Sequence, residues 1–200
     1  MDNKMKLNIS YSNNKVNKIL SDYVDRVEPG NIDSGKDWYR NAYKWCREVA
    51  HEIGVSTEMV AKVVAILSPF NLWDNNKNDA YKLLFALKYE RETVGLLTFT
   101  TFRNNVQKAI DLYDGKIDFE LTDTNMKTYS FYQNLILNKN YITIDRWMMR
   151  IIDFEKYFGK TLTQKRYKQF AESIMYVAMQ RGLKGYELQA ILWEQIRNEN

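Results

Sequence analysis

Apolar side chains recur every three to four residues along most of this 200-residue chain. That period places them on one face of an α-helix. The sequence contains only two prolines, and strand signals are weak, the best being Tyr141–Ile144. A chain of this length can bury a substantial core. We therefore expect an all-α helical bundle of about nine helices in a single domain, residues 1–200, with two lobes.

Helix boundaries follow from the residues that stop or cap a helix. Glu28–Asn31 contains proline and glycine and predicts a break. Ser56 is of a type that favours the N-cap position, and Pro69 ends the helix that follows it. The expected helices cover approximately 16–27, 37–53, 57–67, 74–87, 102–113, 127–137, 145–158, 163–180 and 188–196.

The composition excludes several kinds of site. One cysteine, Cys46, rules out an internal disulfide framework and a four-cysteine iron–sulfur cluster. One histidine, His51, argues against histidine-rich metal sites and histidine-based triads. No apolar run can span a bilayer, and Met1–Lys15 lacks the apolar segment of a secretory signal. We expect a cytoplasmic protein with no membrane partner. The net charge of +4 does not by itself identify a partner.

Lys127 and Asp145 are the most informative pair of residues. Each stands at the start of a predicted helix, and Arg150 follows Asp145 by about a turn and a half. An amine and a carboxylate on consecutive helices can converge on one reacting carbon, as nucleophilic catalysis with electrostatic stabilisation requires. Each also has a simpler interpretation, because Asp is a favoured N-cap residue and an isolated lysine is generally an exposed surface residue.

These residues resemble motifs of the helix-hairpin-helix DNA glycosylase superfamily, the group that contains endonuclease III, and of its short phage-encoded relatives. The similarity covers about Val60–Gly159. Lys127-Thr128 is similar to the Lys-Thr of the lyase-competent members. Ile144-Asp145 followed by Arg150 is similar to their Val-Asp-x-His-x-x-Arg. Two further segments are similar to the family's apolar helix ending in Leu-Ser and to the helix before its hairpin: Val63–Ser68 and Asn105–Tyr113.

The sequence departs from the family pattern at three points. Leu121–Met126 has no glycine, whereas the family has a glycine-rich hairpin whose backbone N–H groups bind a DNA phosphate. Trp147 stands where a histidine is usual, and the iron–sulfur cysteines are missing, as they are in several members. The resemblance is therefore most specific at Lys127 and Asp145.

The resemblance implies a glycosylase-like helical fold and a DNA glycosylase acting on a damaged or modified base, with AP-lyase activity as a further expectation. Asp145 would stabilise the positive charge that develops on the sugar. Lys127, as a free amine, would attack C1′ and form a Schiff base. The expected partner is DNA, double-stranded with an extruded base, and no metal or organic cofactor is needed.

The resemblance also places Phe70–Asn76 where the family has residues that enter the base pocket and the DNA. The expected substrate and DNA contacts are Phe70, Asn71, Trp73, Asn76, Arg146 and Arg150. The residues themselves allow other interpretations. An ordinary polar loop and N-cap would explain the asparagines, and Phe70 fits either a wedge between bases or a core position.

Two other functions fit the same sequence. Some phage proteins with glycosylase-like folds are thought to build hypermodified thymidine in DNA by displacing pyrophosphate from a base substituent. Asp145 would serve in that reaction too, but abasic sites would never form. A catalytically inactive module that binds DNA or another protein is the third interpretation, and the hairpin without glycine favours it.

Overall fold

The computed structural model describes residues 12–159 and 161–199, and within these ranges every regular element is a helix. Prediction of an all-α fold is confirmed for this part of the chain. The polar residues up to Tyr11, expected to lack a secretory signal, lie outside the described residues. The elements are ten α-helices and one 3₁₀ helix: α1 (Asn14–Val24), α2 (Pro29–Ile53), α3 (Thr57–Leu67), α4 (Trp73–Tyr89), the 3₁₀ helix (Arg91–Leu96), α5 (Arg103–Tyr113), α6 (Met126–Leu135), α7 (Arg146–Ile151), α8 (Phe154–Phe158), α9 (Gln164–Gln180) and α10 (Gly185–Asn198).

The chain divides into two compact units. Unit 1 comprises the residues up to Asn41 and those from Leu121 onward, so it contains α1, the start of α2 and α6 to α10. Unit 2 is Ala42–Glu120 and contains the rest of α2, α3, α4, the 3₁₀ helix and α5. The expectation of one domain over residues 1–200 stays a prediction.

The core of unit 1 is built around α9, which packs against α1 and α10, while α10 also packs against α7. The predicted buried stripe of α9 is confirmed, since each of its members is 0% exposed: Tyr167, Phe170, Ala171, Ile174 and Ala178. Burying a side chain the size of Phe or Ile stabilises the fold by about 1.5–3 kcal/mol. This stripe is therefore a main source of stability in unit 1.

The core of unit 2 is built around α3, which packs against α4 and α5. The predicted N-cap is confirmed, because the Ser56 hydroxyl accepts a hydrogen bond from the Met59 amide at 3.0 Å. Val60, Val63, Val64 and Leu67 are fully buried along α3.

Two predicted boundaries are wrong. The first is the start of the second helix, expected at Asp37. The chain does break after α1, at Asp25–Glu28, but α2 already starts at Pro29. Proline is tolerated at the first helical position, where its missing N–H would have no intrahelical partner. The second is the single helix over 145–158, which the structure divides into α7 and α8. Asp153 lies between them at φ 50°, a left-handed conformation that Asp adopts more readily than most residues.

Replacing Gly35 by alanine is expected to destabilise the protein by about 1–3 kcal/mol, the usual range for overpacking. A Cβ at Gly35 would lie 2.5 Å from the Ile191 Cα and 2.6 Å from its backbone nitrogen, so α2 and α10 would have to separate. Gly30 is the control on the same helix, because a Cβ there meets nothing within 4 Å. Gly30→Ala should leave stability unchanged or raise it slightly. Urea unfolding midpoints that are equal for the two variants would contradict this packing argument.

Candidate functional site

Residues 141–144 lead into α7 and belong to no helix or strand. Side chains bind their backbone instead. The Asn134 amide donates to the Tyr141 carbonyl at 2.7 Å and accepts from the Thr143 hydroxyl at 2.8 Å. The Tyr167 hydroxyl donates to the Ile142 carbonyl at 2.9 Å and accepts from the Ile144 amide at 3.0 Å. These buried hydrogen bonds fix the backbone of the segment that leads to Asp145.

Asp145 is the N-cap of α7, as one of its two sequence interpretations predicted. Its Oδ1 accepts the backbone N–H of Trp147 at 2.9 Å and that of Met148 at 3.0 Å. Its Oδ2 accepts the indole N–H of Trp193 at 3.0 Å. An ionised carboxylate has about four acceptor positions. The described residues fill three of them, so Asp145 is held in one orientation and keeps one acceptor position, on Oδ2.

Lys127 lies in the first turn of α6 and is half-buried. Burial lowers the pKa of its ammonium, the Asp145 carboxylate raises it and Arg146 lowers it, and the net pKa is below the usual 10.5. Among the described residues, none comes within ion-pair distance of the Lys127 ammonium. The Asp145 carboxylate therefore acts on the Lys127 ammonium through its charge and without a contact ion pair.

The Asp145 charge reaches two buried phenols as well. Burial raises the pKa of Tyr39 and of Tyr167, and the Asp145 carboxylate raises both further. Both phenols therefore remain neutral hydrogen-bond donors at physiological pH. The Tyr39 hydroxyl donates to the Gln189 side-chain oxygen at 2.7 Å. These two tyrosines therefore add no negative charge near Asp145.

Arg146 and Arg150 are exposed and lie over the ring of Trp147, with the guanidinium carbons 5.3 Å and 4.5 Å from the ring centroid. Trp147 is half-buried. Trp147 therefore supports two cations beside Asp145. Exposed guanidinium groups of this kind suit phosphate binding.

The four candidate contacts in unit 2 differ in their exposure. Phe70 is 80% exposed at φ 60°, so its interpretation as a core residue is wrong. Trp73 is half-buried and meets the edge of Trp45 at 6.1 Å. Asn76 is only 2% exposed, and its amide donates to the Val64 carbonyl at 3.1 Å. Asn76 connects α4 to α3, and we leave it out of the proposed contact set.

Asn71 belongs to a hydrogen-bonded group around Asp79, which is 1% exposed. Oδ2 of Asp79 accepts from the Asn71 amide at 3.2 Å, from the Thr100 backbone N–H at 2.8 Å and from the Thr100 hydroxyl at 2.6 Å. Its Oδ1 lies 2.8 Å from the Lys82 ammonium, which also donates to the Thr98 carbonyl. This group fixes the loop after α3 to the loop before α5.

The loops fixed by Asp79 present apolar side chains. Phe70 and Phe102 meet edge to face with their ring centroids 5.7 Å apart, and both are exposed. Leu72 and Phe102 occupy the N-cap positions of α4 and α5, where polar residues are preferred. Unit 2 therefore carries an exposed aromatic pair on a rigid support.

Trp193 is the residue of this site that sequence reasoning missed. It lies 48 positions after Asp145, next to the apolar stripe of α10 but not part of it. An unexplained tryptophan beside such a stripe was the available signal. Among the described residues, no group of three or more His, Cys, Asp or Glu side chains is placed to bind a metal ion. None of their helices is long and apolar enough to cross a membrane.

Comparisons with known proteins place the chain in a family but assign it no activity. The search of curated proteins and the search of solved structures each gave no match. The profile of one family, described as a family of unknown function, matches residues 1–200. The chain therefore belongs to the family of unknown function DUF7178.

Proposed function

We propose that this protein is a DNA glycosylase of the helix-hairpin-helix type, with Asp145 as the electrostatic catalyst and Lys127 as the nucleophile. The observation that carries the proposal is the arrangement of these two residues at adjoining helix starts. The carboxylate is fixed by three donors, and the amine is half-buried with a lowered pKa and no contact ion pair among the described residues. Structural lysines are generally exposed or paired, so this placement favours a functional amine.

The reaction follows from the roles of the two groups. In the proposed step the lone pair of Lys127 Nζ bonds to C1′ while the bond from C1′ to the base breaks. The base leaves with that electron pair and takes a proton from water. Positive charge develops on the sugar in the transition state, and the fixed Asp145 carboxylate stabilises it. Nζ then loses a proton to water, and its lone pair forms the C1′=N bond as the C1′–O4′ bond breaks. O4′ takes a proton from water, and the protonated Schiff base results.

Each unit carries its own candidate DNA contacts. Arg146 and Arg150 would bind phosphates, so affinity should decrease steeply with salt concentration. Phe70 and Trp73 would stack on bases exposed by extrusion of the target nucleotide. Asn71 is already bound to Asp79 and would contribute by holding the loop that carries Phe70.

Borohydride trapping on DNA oligonucleotides tests the proposal. The panel carries an abasic site, uracil, oxidised bases, and hydroxymethylated or glucosylated bases. We expect a covalent adduct with the wild-type protein and none with Lys127→Ala, because borohydride reduces the Schiff base between Lys127 and C1′ to a stable amine and the variant lacks the amine that forms it. Lys139→Ala is the control, since Lys139 is an exposed lysine of the same unit. An adduct that persists in Lys127→Ala would contradict the assignment of the nucleophile.

The rate of trapping should depend on pH in a direction that the Lys127 pKa determines. Only the neutral amine attacks, and burial lowers the pKa of Lys127 below 10.5. The rate should therefore rise with pH and reach its plateau below pH 10.5. A trapping rate that continues to rise through pH 10.5 would show that the attacking lysine has the pKa of an ordinary exposed lysine. Mass spectrometry of the adduct identifies the modified residue at each pH.

One observation favours the catalytically inactive binding module as a second candidate. In the turn before α6, the Asn125 side chain accepts the Thr122 N–H at 2.8 Å. That N–H is then not offered to a DNA phosphate, as the backbone of a glycine-rich hairpin would be. If no substrate gives a product and Asp145→Asn binds DNA as tightly as the wild-type protein does, the second candidate replaces the first.

A further inference from the structure

Three aromatic side chains of unit 1 form a continuous surface beside Asp145. We call Trp38, Phe131 and Trp193 the aromatic wall. The ring centroid of Trp38 lies 6.0 Å from that of Trp193 and 6.1 Å from that of Phe131. All three rings are half-buried. The wall therefore offers partly exposed aromatic surface next to a fixed carboxylate.

The wall is held rigidly from behind. Tyr39, Tyr186 and Ala190 form a buried cluster against which Trp38 and Phe131 pack. Tyr39 meets the edge of Trp38 at 4.8 Å and that of Tyr186 at 5.6 Å. A buried layer of this kind fixes side-chain rotamers, so the wall has its shape before any ligand binds.

The two charged groups of the site are tied to the wall. Trp193 donates its indole N–H to Asp145 Oδ2. Lys127 precedes Phe131 by four residues on α6, a spacing that places both on the same helix face. The carboxylate and the amine thus belong to the same face of unit 1 as the three rings.

The three rings differ in what they offer a ligand. The guanidinium carbon of Arg197 lies 4.5 Å from the centroid of the Trp193 ring, so part of that ring is already covered. Trp193 is mainly a hydrogen-bond donor to Asp145, and the stacking surface is that of Trp38 and Phe131. Apolar aromatic surface with a few convergent polar groups is the usual composition of a small-molecule site.

We propose that the aromatic wall binds a planar heteroaromatic ring, stacked on Trp38 and in tilted contact with Phe131, whose plane lies at 41° to that of Trp38. One hydrogen-bond donor of the bound ring is directed to the remaining acceptor position of Asp145. This inference rests on the proposed function and specifies its substrate class, a nucleobase held by its flat face. It does not require that the glycosidic bond be cleaved. Dispersion and stacking favour the flat ring of any base. The wall therefore distinguishes flat rings from puckered ones but does not by itself distinguish one base from another.

Titration of the isotope-labelled full-length protein with free uracil, thymine, cytosine or adenine tests the inference. Indole N–H signals of Trp38 and Trp193 report on the wall. We expect at least one base to shift both signals, and dihydrouracil, which has a similar set of donors and acceptors but a puckered ring, to bind at least about fivefold more weakly than uracil. If no base shifts the two signals, or if dihydrouracil binds as well as uracil, the inference is wrong.

Variants identify the residues that bind the ring. Trp38→Leu should weaken base binding at least about fivefold, and Trp38→Phe should retain most of it. Trp45→Leu is the matched control, because Trp45 is a half-buried tryptophan of unit 2 with an edge contact to Trp73. Thermal unfolding shows whether each variant is folded. If Trp38→Leu does not fold, the affinity of the folded Trp38→Phe for the base is compared with that of the wild-type protein. Equal affinity in wild type and a folded Trp38→Leu would overturn the inference.

The two proposals fail in different ways. Base binding at the wall without any trapped adduct or released base would support the ring site and count against the glycosylase reaction. A Lys127-dependent adduct whose formation is unaffected by Trp38→Leu would support the reaction and count against the ring site.

Discussion

Asp145→Asn is expected to lower the rate of base release by about 10²–10³-fold on the substrate that the wild-type protein processes. The substitution removes the negative charge that would stabilise the sugar in the transition state. It keeps one side-chain oxygen, which can still accept the N–H groups of Trp147 and Met148 that cap α7. The side-chain NH₂ introduced at this position then faces the Trp193 indole N–H. Two donors without an acceptor between them destabilise the folded protein by about 1–3 kcal/mol. Single-turnover kinetics at saturating protein measures the effect on chemistry.

Asp153→Asn is the matched control for this result. Asp153 is an exposed N-cap residue in the same unit, and its side chain makes no capping hydrogen bond. The two variants change net charge equally, but only one removes the carboxylate bound by Trp193. Asp153→Asn should release base at the wild-type rate. A folded Asp145→Asn protein that is as active as Asp153→Asn would remove Asp145 from the mechanism.

Asp79→Ala is expected to destabilise unit 2 by about 3 kcal/mol, the largest stability effect of any substitution considered for this chain. It leaves the Thr100 hydroxyl, two N–H donors and the Lys82 ammonium without their acceptor. The loops around Phe70 and Phe102 should lose protection first, because Asp79 fixes them to each other. Urea unfolding gives the free energy, and amide hydrogen exchange locates the loss.

Asp74→Ala is the control for Asp79→Ala. Both acids lie on α4 and pair with a lysine three residues later at 2.8 Å, but the Asp74 side chain is 90% exposed and that of Asp79 is 1% exposed. An exposed pair contributes about 0–1 kcal/mol, so Asp74→Ala should unfold nearly as the wild type does. Equal destabilisation by the two variants would show that burial is not the cause.

The contribution of Asp79 should also depend on pH in a defined direction. Burial raises the pKa of its carboxyl, but the hydrogen bonds from Lys82 and Thr100 lower it by more, so the net pKa is below the usual 3.8. A lowered pKa means that the stabilisation is present above pH 3.8 and is lost as the pH falls through the folded-state pKa. The difference between wild type and Asp79→Ala should therefore shrink only in strong acid.

The features that the sequence predicted correctly depend on neighbours along the chain. The stripe of α9, the Ser56 cap and the Asp145 cap involve residues within one or two helical turns, and the helical period or the capping preference specifies them. The start of α2 was expected eight residues too late, at Asp37 instead of Pro29, because Pro29 was taken as part of the break. Proline stops a helix in its interior but suits its first position, and the local sequence does not distinguish these positions.

The features that the sequence did not predict depend on contacts between distant segments. Trp193 reaches Asp145 across 48 positions, and Asp79 reaches Thr100 across 21. Tyr167 and Asn134 bind the backbone of the irregular segment 141–144 from other parts of the chain. No periodicity or spacing specifies such pairs, because they are determined by how the helices of each unit pack.

The order in which the two units can fold follows from their arrangement along the chain. Unit 2 is continuous in sequence, whereas unit 1 combines residues from both sides of it. During synthesis, α3, α4 and α5 can bury their shared core before α6 to α10 have left the ribosome. Helix α1 and the start of α2 must wait for α9 and α10, with which they pack. The segment that carries Trp38 is therefore made early but reaches its final place late, and the aromatic wall is among the last parts of the molecule to form.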